Sequence, residues 1–257
     1  VGCGALGLLL MRVFAADIYD VIIVWMTATW YKAAFERLNT GDRVLDVGIG
    51  TATALVKNKL VLLEKAISVT GIDYEGAYVR KAEKLLKAEG LWRTVPEGTS
   101  NYRAGAYYCR VFEKSIYDPD LRALCEDDHE ACGRNIPMDV PDDKRFDAAY
   151  FSGSISVMPD PPAALRACLP LIKKDTGRIY ITQTFQKKPS PVMKVVKPML
   201  KYITTIDFGY LTTESDVDVI IAKAGAFDIL ENEQIPGSMD TPFQTARLII
   251  LRPKQGS

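Results

Sequence analysis

The run Val44-Leu45-Asp46-Val47-Gly48-Ile49-Gly50-Thr51-Ala52-Thr53 reads as a buried strand that breaks into a glycine turn and then opens a helix. Glycine has no Cβ and tolerates positive φ, so a turn of this kind lets backbone approach a ligand closely. A second strand, Ile67-Ser68-Val69-Thr70-Gly71-Ile72, ends in Asp73, 27 residues after Asp46. An acidic residue in that position is placed to accept hydrogen bonds from a ribose diol, as in nucleotide-binding α/β folds. Together the two segments predict a nucleoside-containing cofactor.

The spacing of the turn discriminates between cofactors. A dinucleotide fingerprint requires G-x-G-x-x-G/A, and the third slot after Gly48 and Gly50 is Thr53. Asp46-x-Gly48-x-Gly50-x-Ala52 instead resembles the D/E-x-G-x-G-x-G loop of class I S-adenosylmethionine (SAM)-dependent methyltransferases, with Ala52 in place of the third glycine. A methyl group there is expected to be tolerated if the helix has already begun. A second glycine motif, Gly2-Cys3-Gly4-Ala5-Leu6-Gly7, matches G-x-G-x-x-G literally. No strand precedes it to aim the turn, and no acidic residue ends a following strand, so it is read as fortuitous.

Lys+Arg and Asp+Glu balance at 32 each over 257 residues, so nothing in the charge suggests a nucleic-acid partner. Five cysteines (Cys3, Cys109, Cys125, Cys132, Cys168) are scattered without a C-x-x-C, which argues against a disulfide framework or structural zinc. No metal site is expected, and a reducing, cytoplasmic compartment is. Cys125 and Cys132 flank Asp127, Asp128 and the single histidine, His129, in what reads as a solvated acidic loop. The apolar runs Leu8–Phe14 and Val21–Trp30 fall short of the roughly 20 residues needed to cross a bilayer. No basic n-region marks a signal peptide. Residues 1–40 are therefore expected to be helices covering the cleft, with contact to a membrane surface left open.

From residue 41 strands and helices alternate. Strands are expected at Arg43–Val47, Ile67–Ile72, Tyr107–Glu113, Phe146–Phe151 and Gly177–Phe185, with a final pair at Phe227–Gln234 and Thr245–Arg252. Helices are expected at Thr27–Leu38, Thr53–Lys65, Gly76–Glu89, Pro162–Lys173, Pro191–Ile203 and Thr213–Ala224. Residues 119–144 read as a surface insertion. The predicted fold is α/β: a Rossmann-like, mainly parallel sheet with a C-terminal antiparallel hairpin and helices on both faces. Residues 41–257 form one cofactor-binding domain. Ligands of such sheets bind beyond the strand carboxyl ends, where Asp46, Asp73, Ser115–Asp118 and Phe151–Ser156 converge.

Further segments carry the methyltransferase resemblance. Phe146-Asp147-Ala148-Ala149 with Met158-Pro159-Asp160-Pro161 resembles the "FD…(L)PDP" segment of the small-molecule branch that includes quinone-ring and arsenite methyltransferases. Leu211-Thr212-Thr213-Glu214 and Ala224-Gly225-Ala226-Phe227 resemble that branch's late helix and strand. The resemblance implies that Gly48 and Gly50 lie along the methionine part of SAM, with Asp46 organising the loop and amino group and Asp73 holding the ribose hydroxyls. It implies Ile116 and Tyr117 beside adenine, Asp118 near its exocyclic amine, and Phe151 and Ser152 along the sulfonium. Thr51 and Tyr74 complete that expected set. Tyr117 and Phe151 read equally well as core aromatics, and Asp118 as a turn cap.

SAM carries an activated methyl group, so the protein's work is positioning, desolvation and, where needed, proton removal. The usual base is missing: Ser152, Ser154 and Ser156 stand where other enzymes carry His or Glu. There is no N/D-P-P-Y of nucleic-acid amine methylation and no acidic cluster of a magnesium-dependent type. The expected acceptor is a small molecule with a soft or already nucleophilic atom. Tyr19, Tyr31, Tyr150 and Tyr210 are candidate positioning hydroxyls, with packing as the plainer role. Lys187 and Lys188 are candidates for an acceptor carboxylate or phosphate, while Lys194, Lys197 and Lys201 share one helix face. The alternatives are an NAD-linked oxidoreductase and a non-catalytic SAM-binding protein.

Overall fold

A computed structural model describes residues 23–92, 108–125, 139–187 and 213–254. Its centre is a seven-stranded sheet built from β1 (Arg43–Val47), β2 (Ser68–Asp73), β3 (Cys109–Glu113), β4 (Ala148–Ser152), β5 (Arg178–Gln186), β6 (Phe227–Gln234) and β7 (Gln244–Pro253). The strand order is β3-β2-β1-β4-β5-β7-β6. β1 to β5 are parallel, and β7 runs antiparallel to both β5 and β6. The winding reverses between β1 and β4, which opens a crevice at the carboxyl ends of those two strands.

Parallel strands are covered on both faces, which is why RVLDV and AAYFS contain almost no exposed position. Alternate residues feed separate cores. Val44, Val69, Ala148 and Tyr150 face one cluster with Trp30, Phe35, Leu62 and Leu86. Leu45, Val47, Ala149 and Phe151 face the other with Phe146, Leu165, Ile221 and Phe227. Each large side chain so buried contributes about 1.5–3 kcal/mol.

The first face carries α1 (residues 23–36), α2 (Thr53–Val56), α3 (Lys59–Glu64) and α4 (Gly76–Ala88); the second carries α5 (Pro161–Cys168) and α6 (Glu214–Ala224). Local signals set their ends. Asp160 caps α5 by accepting from Ala163 N at 3.0 Å ahead of Pro161. Thr213 and Asp216 form a reciprocal capping box on α6, and Gly225 closes it at φ 74°. The helix expected over Thr53–Lys65 is two, because Asn58 leaves helical geometry at φ −102°, ψ 19°. Its amide donates to Ala54 O and to Ala28 O of α1, both at 2.9 Å, replacing helix propagation with a tie between helices.

The described ends of the 119–144 stretch are mixed: Pro119, Asp139 and Pro141–Asp143 are exposed, but other residues turn inward. Leu121–Cys125 is a buried 3₁₀ turn, and Val140 is also buried. Arginines at the amino ends of strands hold this backbone. Arg110 donates to Leu124 O at 2.7 Å, and Arg43 to Cys125 O at 2.9 Å and Lys144 O at 2.6 Å. Arg145 donates to Val140 O at 3.0 Å. Buried guanidinium groups require such acceptors, and a loop carbonyl supplies them without a second buried charge. Both described ends are thus tied to the sheet edge opposite the crevice. His129 lies outside the described residues, as do the helix expected at Pro191–Ile203 and the Gly2–Gly7 motif.

Candidate functional site

The turn after β1 is built by hydrogen bonds from its neighbour. Gly48 N and Ile49 N both donate to Ile72 O, at 2.8 and 3.2 Å, which draws the turn over the end of β2. Three residues adopt left-handed φ: Gly48 (81°), Gly50 (60°) and Ala52 (58°). The two glycines are constrained differently. A Cβ on Gly48 would lie 2.7 Å from Ser154 Cβ, whereas one on Gly50 would meet nothing within 4 Å. A side chain at position 48 would collide with Ser154, whereas position 50 borders open space. Ala52 is not yet helical; it stands before α2 at φ 58°, ψ 11°, buried, so its methyl group is tolerated by packing and not by helix geometry.

Two carboxylates flank this turn. Asp73 Oδ2 accepts from Gly50 N at 3.0 Å and Oδ1 from Glu75 N at 2.9 Å, which pins the glycine turn to the end of β2. Burial raises its pKa, against the lowering effect of those two N–H groups. Asp46 is fully buried. Its Oδ2 accepts from the Tyr31 hydroxyl of α1 at 2.5 Å, and its Oδ1 has no hydrogen-bond partner among the described residues. Burial pushes Asp46 up to about 7, opposed by the Tyr31 hydrogen bond and reinforced by the Asp73 charge. A buried carboxylate oxygen without a partner costs free energy that a cationic or donor ligand recovers.

The other predicted residues are placed as follows. Ser154, after β4, donates to Val47 O at 2.5 Å and lies under Gly48. Ser152 Oγ is buried near the Tyr150 hydroxyl with no partner in hydrogen-bond geometry. Phe151 and Ile116 are buried, Thr51 Oγ1 pairs with Thr53 Oγ1 at 2.8 Å, and Tyr74 is exposed. Tyr117 is partly exposed; its hydroxyl donates to Asp160 O at 2.9 Å and accepts from Asp160 N at 3.1 Å, bridging the segments after β3 and β4. Asp118 Oδ2 accepts from Ser115 N at 2.9 Å and so caps its own turn. Tyr31 is buried against Asp46 with Phe35 and Tyr150 edge-on to its ring. Tyr150 bonds Thr182 Oγ1 at 2.9 Å. Tyr19, Tyr210, Lys188, Lys194, Lys197 and Lys201 lie outside the described residues. Lys187 is paired with Asp240 at 2.5 Å. The buried thiols of Cys109 and Cys168 are pushed up by burial, Cys109 to about 12. Among the described residues no group of three His, Cys, Asp or Glu is placed to hold a metal, and no helix is long and apolar enough to cross a membrane.

Nothing in the spacing of Tyr31 and Asp46 signalled their contact; only the docking of α1 on the sheet creates it. The serine under Gly48 was visible in the sequence merely as one of three.

This sheet order, with acidic residues ending β1 and β2 around a glycine turn, is the fold of the class I SAM-dependent methyltransferases. Solved structures sharing it include the [4+2]-cyclase SpnF, 18% identical, TM-score 0.57, matched over 89% of this chain and 82% of SpnF. They include a SAM-dependent methyltransferase from Methanosarcina mazei, 16% identical, TM-score 0.51, over 88% of this chain and 99% of that one. They also include the O-methyltransferase NcsB1 from neocarzinostatin biosynthesis, solved with SAM and 2-hydroxy-5-methyl naphthoic acid. NcsB1 is 14% identical, TM-score 0.53, over 95% of this chain, which spans just over half (57%) of its length. No protein-family model and no curated protein matches the sequence.

Proposed function

We propose that the protein binds SAM at the Asp46–Ala52 turn and transfers its methyl group to a small-molecule acceptor. One observation carries this: a buried carboxylate with an unpartnered oxygen, Asp46, stands beside a left-handed glycine turn that is open at Gly50 and pinned to Asp73. The residues suit the cofactor. Asp46 Oδ1 is free to receive an ammonium, Gly50 leaves room for close approach, and the Asp73 carboxylate retains lone pairs for a ribose diol. Ile116 and Phe151 supply apolar walls, with Tyr117 at the adenine end and Ser152 at the sulfonium end. SAM supplies an electrophilic methyl group, so the chain's own residues need only bind, orient and exclude water.

The acceptor is a soft or already nucleophilic atom: sulfur, nitrogen or an acidic oxygen. This is supported by the hydroxyls nearest Asp46, since burial raises the pKa of Tyr31 and Tyr150 and neither serves as a base near neutrality. The acceptor side lies beyond β5, where Gln186, Lys187, Thr213, Glu214 and Ser215 line an open recess. Release of Lys187 from Asp240 would allow it to meet an acceptor carboxylate there. SpnF, a cyclase on this fold, favours a second reading in which the cofactor is bound and no methyl group is transferred.

The test is a panel of acceptors incubated with methyl-labelled SAM. Label in a thioether, amine or acidic hydroxyl product supports the proposal. Tight S-adenosylhomocysteine binding without label in any acceptor supports the second reading, and tight dinucleotide binding overturns both.

A further inference from the structure

We infer that Tyr31 is a positioning residue for the cofactor's ammonium: by donating to Asp46 Oδ2 it fixes the carboxylate and leaves Oδ1 as the oxygen that receives the cation. This rests on the reading of the crevice as a SAM site and adds the role of a helix that contributes nothing to the glycine turn itself.

The geometry holds the phenol rigidly. Tyr31 is 2% exposed, and its ring meets Phe35 and Tyr150 edge-on at centroid distances of 5.5 and 4.9 Å. The helix carrying it is fastened on three sides. Trp30 Nε1 donates to Ser238 Oγ at 2.9 Å, Asn58 bonds Ala28 O at 2.9 Å, and Arg37 pairs with Glu231 and Glu233 at 3.1 and 2.7 Å. The hydroxyl therefore has little freedom to leave Asp46.

The charge around Asp46 is one-sided. The titratable groups acting on it or sensing it are Tyr31 from α1, Tyr150 from β4, Asp73 from β2 and Cys109 from β3. No cation is among them. Tyr150 is engaged with Thr182, so Tyr31 is the side chain that donates to Asp46 among the described residues. Among the described residues Asp46 is thus a buried carboxylate with a single neutral donor and no counter-ion, an arrangement that a cation brought from outside completes.

Protonation follows from this. Burial pushes Asp46 up to about 7, and the Tyr31 hydrogen bond opposes that rise. Below this pH the carboxyl holds a proton, which a bound ammonium displaces. Tyr31→Phe keeps the ring contacts and deletes the donor, so ionisation of Asp46 moves to higher pH.

The test is calorimetric titration of wild type and Y31F with S-adenosylhomocysteine from pH 5.5 to 9, in buffers of differing ionisation heat. For the wild type, affinity should rise through about pH 7 and level off, with a proton released on binding below that pH. In Y31F the rise should move alkaline by about one unit, so that affinity falls about fivefold at pH 7 and recovers to within about threefold at pH 9. Melting curves without ligand should show the same alkaline displacement of the Asp46 transition. An equal loss of affinity at every pH marks a structural role and overturns the inference, as does an unshifted profile. Failure of the wild type to bind at any pH overturns the cofactor reading together with this one, whereas normal wild-type binding with an unshifted Y31F overturns only the role of Tyr31.

Discussion

Gly48→Ala and Gly50→Ala place the same methyl group two residues apart and should give opposite outcomes. Both positions have left-handed φ, 81° and 60°, so each variant loses about 1–2 kcal/mol from backbone strain. At Gly48 the new Cβ would also lie 2.7 Å from Ser154 Cβ, in a layer where Ser154 is bonded to Val47 O. Displacing Ser154 adds about 1–3 kcal/mol of overpacking and forfeits about 1 kcal/mol of hydrogen bonding. The sum for Gly48→Ala is about 3–6 kcal/mol, a large fraction of a domain's stability. At Gly50 nothing lies within 4 Å, so the cost stays near the backbone value. On the proposed function the cofactor comes close in that open space, so a methyl group in it should weaken S-adenosylhomocysteine binding at least tenfold. Urea denaturation separates the stabilities, and calorimetry on folded protein measures affinity. Equal stability of the two variants would refute the packing assigned to Gly48. Unchanged affinity in Gly50→Ala would refute the turn as the cofactor's cradle.

Asp73→Ala should reduce S-adenosylhomocysteine affinity at least tenfold while the fold survives, because charge-assisted hydrogen bonds are each worth about 1.5–3 kcal/mol; calorimetry that finds no change removes Asp73 from the site. Asp46 also governs stability against pH. Its folded pKa of about 7 exceeds the unfolded value of 3.8, so its contribution is fully present below pH 3.8 and is lost as pH rises through 7. Asp46→Asn should therefore flatten the melting temperature between pH 5 and 8 and abolish tight binding; a wild-type curve already flat over that range would contradict the burial of this group. Arg110→Met should cost about 2–4 kcal/mol, since the buried guanidinium bonds Thr70 Oγ1 and Leu124 O at 3.0 and 2.7 Å. It acts on the edge of the sheet opposite the crevice, so S-adenosylhomocysteine affinity in the folded variant should be unchanged, and a parallel loss of affinity would show that the two edges are coupled.

Much of the architecture was legible in local pattern. β1 at Arg43–Val47 and β6 at Phe227–Gln234 have the bounds expected from their runs and flanking turn residues, and Gly225 closes α6 where a C-terminal glycine signal stood. The glycine turn and the acidic ends of β1 and β2 were visible because each depends on residues close together in the chain. The break at Asn58 was not, since its second acceptor, Ala28 O, belongs to another helix. The burial of Leu121–Cys125 was hidden for the same reason: its carbonyls are held by Arg43 and Arg110, charged residues that pattern alone sends to the surface.

Sequence by itself determined the alternation of strands and helices, the turn after β1 and the carboxylates beside it, because spacing and residue type act within a few residues. Tertiary structure alone decided what each of those groups does. It packs Gly48 onto Ser154 and leaves Gly50 open. It ties Asp73 to the turn, and it brings Tyr31 onto one oxygen of Asp46 while the other stays unpartnered. Hydrogen-bond satisfaction and desolvation depend on neighbours distant in the chain, and only the docking of α1 and the strand order bring those neighbours within reach.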